Sequence, residues 1–139
     1  MADMIPCAFE ERPPIVLTSL VRGRLLALAD AATVGSPSVA RFLHEELARA
    51  DIIPEGTAGS VTMGSEVKFI DHRWPRIRRC KLTYPDEVND RHSISVLTPI
   101  GSALLGLGPG QSISWIEAEK EQRLTVLEVL PNRLQAASR

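Results

Sequence analysis

The spacing of hydrophobic residues changes once along this chain, and the change divides it in two. Up to Ala50, apolar residues recur every three or four positions; beyond Ile53-Pro54-Glu55-Gly56 they alternate with polar ones. The first rhythm suits a helix with one buried face, the second a strand with one wet face. Helices followed by strands predict an α+β fold rather than an alternating α/β sheet.

In the first half, Leu17, Val21, Leu25, Leu28 and Ala32 share one face of a helix over 17–32, with Thr18 or Ser19 as cap and Gly35 as a left-handed stop. Ser36-Pro37 is a start signal, because proline has no N–H to lose in a first helical turn. A second helix over 37–50 follows, with Val39, Leu43, Leu47, Ala50 and Phe42 inward and Glu45, Glu46 and Arg49 outward. Together they predict a short antiparallel helical hairpin over 17–51, about 20 Å long at 1.5 Å per residue. Residues 1–16 hold Pro6, Pro13 and Pro14 and are expected to form a flexible leader, disordered up to Glu11.

In the second half, alternation marks strands around Val61–Met63, Val67–Phe69, Cys80–Tyr84, Ile94–Val96, Ile113–Trp115 and Leu124–Val126. Pro99–Leu107 breaks the alternation and predicts one short helix capped by Thr98. The expectation is an antiparallel sheet domain over 55–133 with that helix on one face, and a tail over 134–139.

Net charge is −1, so no global field draws the chain to nucleic acid or to an anionic membrane. A nucleic-acid role would need a local patch. The one candidate is Arg73, Arg76, Arg78, Arg79 and Lys81, with Trp74 inside it and no acid between 73 and 81. That pattern suits DNA or RNA phosphates, an acidic protein surface, or a merely solvated strand face. Cys7 and Cys80 have no second thiol at ligand spacing, and His44, His72 and His92 pair with no carboxylate or thiol in a metal-binding pattern, so neither metal nor other cofactor is expected. Gly106–Gly110 follows a helix, whereas a phosphate cradle precedes one. Without a signal peptide or a run of about 20 apolar residues, the expected compartment is the cytoplasm and no membrane is involved.

One block is more specific. Gly64-Ser65-x-Val67, Leu82-Thr83-Tyr84-Pro85, Ile94–Leu107 (ISVLTPIGSALLGL) and Gly110-Gln111-Ser112-Ile113 resemble the C-terminal domain of the Gre transcript-cleavage factors. The short hairpin, Val96-Leu97-Thr98-Pro99, Gln111–Trp115 and Leu124–Val129 are most similar to the Rnk group, the regulators of nucleoside diphosphate kinase. The resemblance implies an FKBP-like domain docking on RNA polymerase near the mouth of its secondary channel. It implies contacts through Leu97, Thr98, Pro99 and Ile100, where the helix start also offers N–H groups to a partner. The cleavage factors carry an aspartate where this chain has Leu97.

Cleavage factors also need an acidic pair at the hairpin tip to hold a second metal ion. The tip here contains Asp30, Thr33 and Ser36, with Asp30 its only acid. The reading is therefore a non-enzymatic, monomeric transcription regulator without cleavage activity. The group's name implies a link to the kinase; no residue points to direct contact with it. Two alternatives stay open. An FKBP-like fold could isomerise prolyl peptides, although few aromatics lie in the sheet domain to wall a pocket. The hairpin could instead serve as a scaffold through apolar surface its helices leave uncovered.

Overall fold

The computed structural model describes the backbone of residues 4–6 and all of 13–57, 59–88 and 92–130. A six-stranded sheet has the order β1-β7-β8-β4-β5-β6. Its strands are β1 (Met4–Pro6), β4 (Glu66–Asp71), β5 (Arg76–Thr83), β6 (Ser93–Ser95), β7 (Ser112–Glu117) and β8 (Lys120–Leu130). Two helices, α1 (Ser19–Ala32) and α2 (Pro37–Arg49), lie between β2 (Val16–Thr18) and β3 (Asp51–Ile53), which pair parallel as a separate ribbon. The short α3 (Pro99–Leu104) follows β6. Among the described residues, no helix is long and apolar enough to cross a membrane.

The sheet is mixed rather than purely antiparallel. The β5–β6 pair is parallel, Leu82 facing Ile94. A parallel neighbour needs a crossover instead of a hairpin, and the stretch after β5, which includes a single 3₁₀ turn at Pro85–Glu87, supplies it. In the proposed leader, Met4–Pro6 pair antiparallel with β7, Ile5 facing Ile116, and Ile15 is fully buried. That departs from the expected disorder; Cys7 and the rest of 7–12 lie outside the described residues. The strand expected at Val61–Met63 does not form, although Val61 is buried and bonds through its backbone to Gly106 and Leu107.

The helices pack side by side. Arg22 Nε donates to the Leu47 carbonyl at 2.9 Å, and Asp30 meets His44 at 2.7 Å. Thr18 caps α1 by accepting from Val21 N. Thr33, right-handed, ends α1 in place of Gly35, and Ser36 begins α2 without a side-chain cap bond. Glu46, expected outside, is completely buried. Arg49, one turn on, donates to both of its carboxylate oxygens, at 2.8 and 2.9 Å. Because α2 also contacts β1 and α3, it buries more than the single stripe its spacing suggested.

Alternation in β4 turns Val67, Phe69 and Asp71 to the face covered by α3. Val67 and Phe69 meet Cys80 and Leu82 from β5, Leu124 and Val126 from β8, and Ala103 to Leu105 and Leu107 from α3 and its exit. Each such aliphatic or aromatic side chain contributes about 1.5–3 kcal/mol by leaving water. A register shift between Lys68 and Phe69 leaves Leu127 of β8 as an extra residue, and a bulge of this kind bends a sheet.

Two backbone positions fix how the layers meet. A Cβ on Gly101 would lie 2.1 Å from the Ser95 carbonyl oxygen, so only glycine lets α3 sit so close to β6. The β7–β8 turn places Ala118 and Glu119 at φ 53° and 65°, a left-handed pair that favours Asn-Gly. Gly101→Ala should therefore lower unfolding free energy by about 1–3 kcal/mol. Glu119→Gly should raise it by up to about 1 kcal/mol by relieving the left-handed penalty. Urea denaturation of both variants checks the opposite signs.

Candidate functional site

Thr98 organises the start of α3. Its hydroxyl donates to the Ser95 carbonyl at 2.7 Å and accepts from Gly101 N at 3.1 Å. Ser102 N reaches the Thr98 carbonyl, Thr98 N the Ser95 carbonyl, and Leu97 N the Ser95 hydroxyl. The N–H groups of Leu97, Thr98, Gly101 and Ser102 are thus used internally, and this corner presents mainly side chains. Leu97 and Ile100 are half-buried against the core, Pro99 is half-buried, and Thr98 is exposed.

Thr98, Pro99 and Ile100, but not Leu97, border a cleft of about 270 Å³ between α3 and the sheet. Ile94, Thr98, Pro99 and Ile100 come from the β6–α3 corner; Trp115, Glu117 and Gln122 from β7 and β8; Asp71 and Arg73 from β4 and its turn. Trp115 is only 3% exposed, and its indole N–H donates to Glu117 Oε1 at 3.1 Å. The cleft therefore has an apolar wall, a buried aromatic and a polar rim, the make-up of a site that takes an apolar side chain and orients it by a few polar contacts.

Asp71 holds the rim. It is nearly buried, accepts from Arg73 N at 3.0 Å, and lies 3.4 Å from the Arg73 guanidinium and 3.7 Å from that of Arg78. Arg78 also lies over the Phe69 ring, 5.4 Å from its centre. Buried charge is tolerated only where it is paired and hydrogen-bonded in this way.

Of the residues singled out in the sequence, Thr98, Pro99, Ile100 and Arg73 come together here. Asp30, Thr33 and Ser36 do not line the cleft. Asp30 is engaged with His44, and Thr33 Oγ1 donates to the Ala29 carbonyl at 3.1 Å. The basic run is also partly neutralised, by acids on β4 that its own sequence hides: Arg79 pairs with Glu66 at 2.9 Å, and Arg73 and Arg78 share Asp71. Sequence reading missed Asp71, Trp115, Glu117 and Gln122 as site residues. A signal existed in alternation, which from Val67 puts Asp71 inward, from Ile113 puts Trp115 and Glu117 on one face, and from Leu124 puts Gln122 inward.

A larger cleft, about 650 Å³, lies where β2, α1 and β3 meet β5. Arg24 stacks over Tyr84 there, 4.4 Å from the ring centre, and burial raises the Tyr84 hydroxyl above its ordinary pKa. Arg24 and Lys81 share its lining with Glu55, Asp86 and Glu87, so its field is mixed and selects no class of ligand.

Reactive groups are scarce. Among the described residues, no group of three or more His, Cys, Asp and Glu is placed to hold a metal ion. Burial pushes the Cys80 thiol up to about 12 against the weaker opposing pull of Arg78, which makes it a poor nucleophile.

The family "Transcription elongation factor, GreA/GreB, C-term" matches residues 56–131, and the family "Rnk N-terminus" matches residues 13–53. Proteins named "Regulator of nucleoside diphosphate kinase" from Escherichia coli (strain K12) and Shigella flexneri are each 36% identical over 107 residues. That alignment spans 75% of this chain and 79% of theirs. A solved structure titled "Prokaryotic transcription elongation factor GreA/GreB from Nitrosomonas europaea" superposes with a TM-score of 0.66 at 35% identity, covering 86% of this chain and all of that one.

Two outcomes test this geometry. In a Cys7→Ser background, Cys80 should resist a thiol-labelling reagent at pH 8 and react only with unfolding, which stopped-flow labelling in urea measures. Asp71→Ala should cost about 1.5–3 kcal/mol of stability, the worth of hydrogen bonds to a charged group, measured by urea denaturation.

Proposed function

The chain belongs to the GreA/GreB family of transcription elongation factors, in the group that carries the Rnk N-terminus, and on that premise we propose that it regulates transcription by docking on RNA polymerase without catalysing a reaction of its own. The observation that carries this reading is the cleft in which Thr98, Pro99 and Ile100 meet Trp115. Residues that the family resemblance marks for contact with polymerase border a concave, partly apolar surface with a charged rim. Leu97, which stands where cleavage factors carry an aspartate, packs on the core, so the contact here relies on shape and apolar burial more than on charge.

The docking place is near the mouth of the secondary channel, with the sheet and α3 acting as an FKBP-like unit and α1 and α2 as a short antiparallel hairpin. Fourteen residues of helix reach about 20 Å. Asp30 is the hairpin turn's only acid and is held by His44. Both features favour occupancy of the site without stimulation of transcript cleavage, which needs paired carboxylates around a second metal ion. The protein would act as a cytoplasmic monomer that competes with longer-hairpin factors. A link to nucleoside diphosphate kinase would run through transcription.

A second reading draws on Trp115. A cleft with a buried indole is the kind of surface that desolvates a prolyl amide, so prolyl isomerisation is the enzymatic alternative. Trp115 is the one aromatic among the residues lining the cleft, and a proline-peptide isomerisation assay separates the two readings.

The leading reading predicts saturable binding of the purified protein to core RNA polymerase, displaced by a cleavage factor, with no added transcript cleavage in stalled complexes. Ile100→Asp should weaken binding at least tenfold, about 1.4 kcal/mol, while Asp30→Asn should leave it unchanged. Circular dichroism confirms that both variants fold. No binding at tens of micromolar would remove the polymerase reading.

A further inference from the structure

Residues 66–83 carry six Lys and Arg against two acids, a surplus of four positive charges in a chain whose net charge is −1. The rest of the chain is therefore net acidic, and its cationic character is concentrated on β4, β5 and the turn between them. Ion pairs with Glu66 and Asp71 engage Arg79, Arg73 and Arg78 only in part, since each guanidinium has five donors. The side chains of Arg73 and Arg79 remain about half exposed, at 49% and 53%. On the neighbouring strand, Glu128 lies 3.5 Å from Lys68.

At the centre of this field stands an aromatic plane with no cover. Trp74 is 66% exposed in the β4–β5 turn, and Ile77, three residues on in β5, is 63% exposed. The turn is held by backbone bonds within it and to β8: Trp74 N reaches the Asp71 carbonyl, Arg76 N the Trp74 carbonyl, and His72 N the Arg123 carbonyl of β8. An exposed tryptophan at a fixed position costs apolar hydration and adds nothing to the core.

We propose that the β4–β5 turn is a contact surface for single-stranded nucleic acid, with Trp74 stacking a base and Arg73 and Arg76 meeting the phosphates. The geometry favours this over an acidic protein partner. Aromatic hot spots in protein interfaces are set in packed surroundings that exclude water. Trp74 instead stands largely exposed in a turn between two strands, which suits a base that needs one open face and a charged backbone alongside. A duplex keeps its base faces stacked internally and offers Trp74 nothing. This surface does not depend on the polymerase reading of the cleft.

The test uses the full chain with fluorescein-labelled oligouridylate and oligodeoxythymidylate, followed by anisotropy at low and physiological salt. Tryptophan emission is recorded in parallel. Binding of one or both single strands is expected, with quenched tryptophan emission and affinity falling steeply with salt. A preference between the two would assign RNA or DNA. Trp74→Ala, at an exposed position, should weaken binding about tenfold and abolish the quenching. Arg76→Glu should weaken it and flatten its salt dependence. The proposal is overturned if neither oligonucleotide binds, or if Trp74→Ala binds as tightly as the parent. It is also overturned if polyglutamate displaces the oligonucleotides as well as unlabelled oligouridylate does, which would assign the surface to an acidic protein.

Discussion

The Ser95 carbonyl occupies the space that a Cβ on residue 101 would fill, and α3 reaches its place only because residue 101 is glycine. From that contact the rest of the sheet domain follows. Thr98, bonded to both Ser95 and Gly101, fixes where the helix begins. The helix then lays Ala103 and Leu104 on the face built by Val67, Phe69 and Leu82. Its first turn supplies Thr98, Pro99 and Ile100 to one wall of the cleft, with the sheet forming the other. A chain with a side chain at 101 would have to lift the helix and so reshape the site.

Charge is arranged to suit. Asp71 continues the inward alternation of β4 to the end of the sheet where burial gives way to the cleft. There it gathers Arg73 and Arg78 from the basic run, turning a repulsive stretch of sequence into a rim of fixed geometry. The same pairing leaves Trp74 largely exposed in the turn. Cleft and turn thus share Asp71, and a change at that residue is felt at both.

Much of this was legible in the sequence because it is local. The change of hydrophobic period at Pro54, the Ser36-Pro37 start of α2, the Thr98 cap and the alternation in β4, β5, β7 and β8 each depend on neighbours within a few residues. What stayed hidden is non-local. The three-residue strands β1, β2 and β3 owe their existence to partners far along the chain, and three residues carry too little alternation to show. The burial of Glu46 could not be read from helical spacing, because it depends on Arg49 supplying its partner and on α2 packing against more than α1. The Ala118-Glu119 turn lacks the glycine that usually announces a two-residue hairpin, since strand pairing on both sides holds it in place. The β6–α3 wall of the cleft was visible as a motif; the opposite wall was visible only as inward-facing positions with no stated purpose.

The central claim is that the corner formed by β6 and α3 over Trp115 faces RNA polymerase. A photo-crosslinking amino acid placed at position 100, and separately at position 34 in the exposed α1–α2 turn, tests it without relying on affinity. The account predicts that the probe at 100 crosslinks to a polymerase subunit and that excess cleavage factor suppresses the product. Crosslinks that persist under that competition, or that form from position 34 but not from 100, would contradict it.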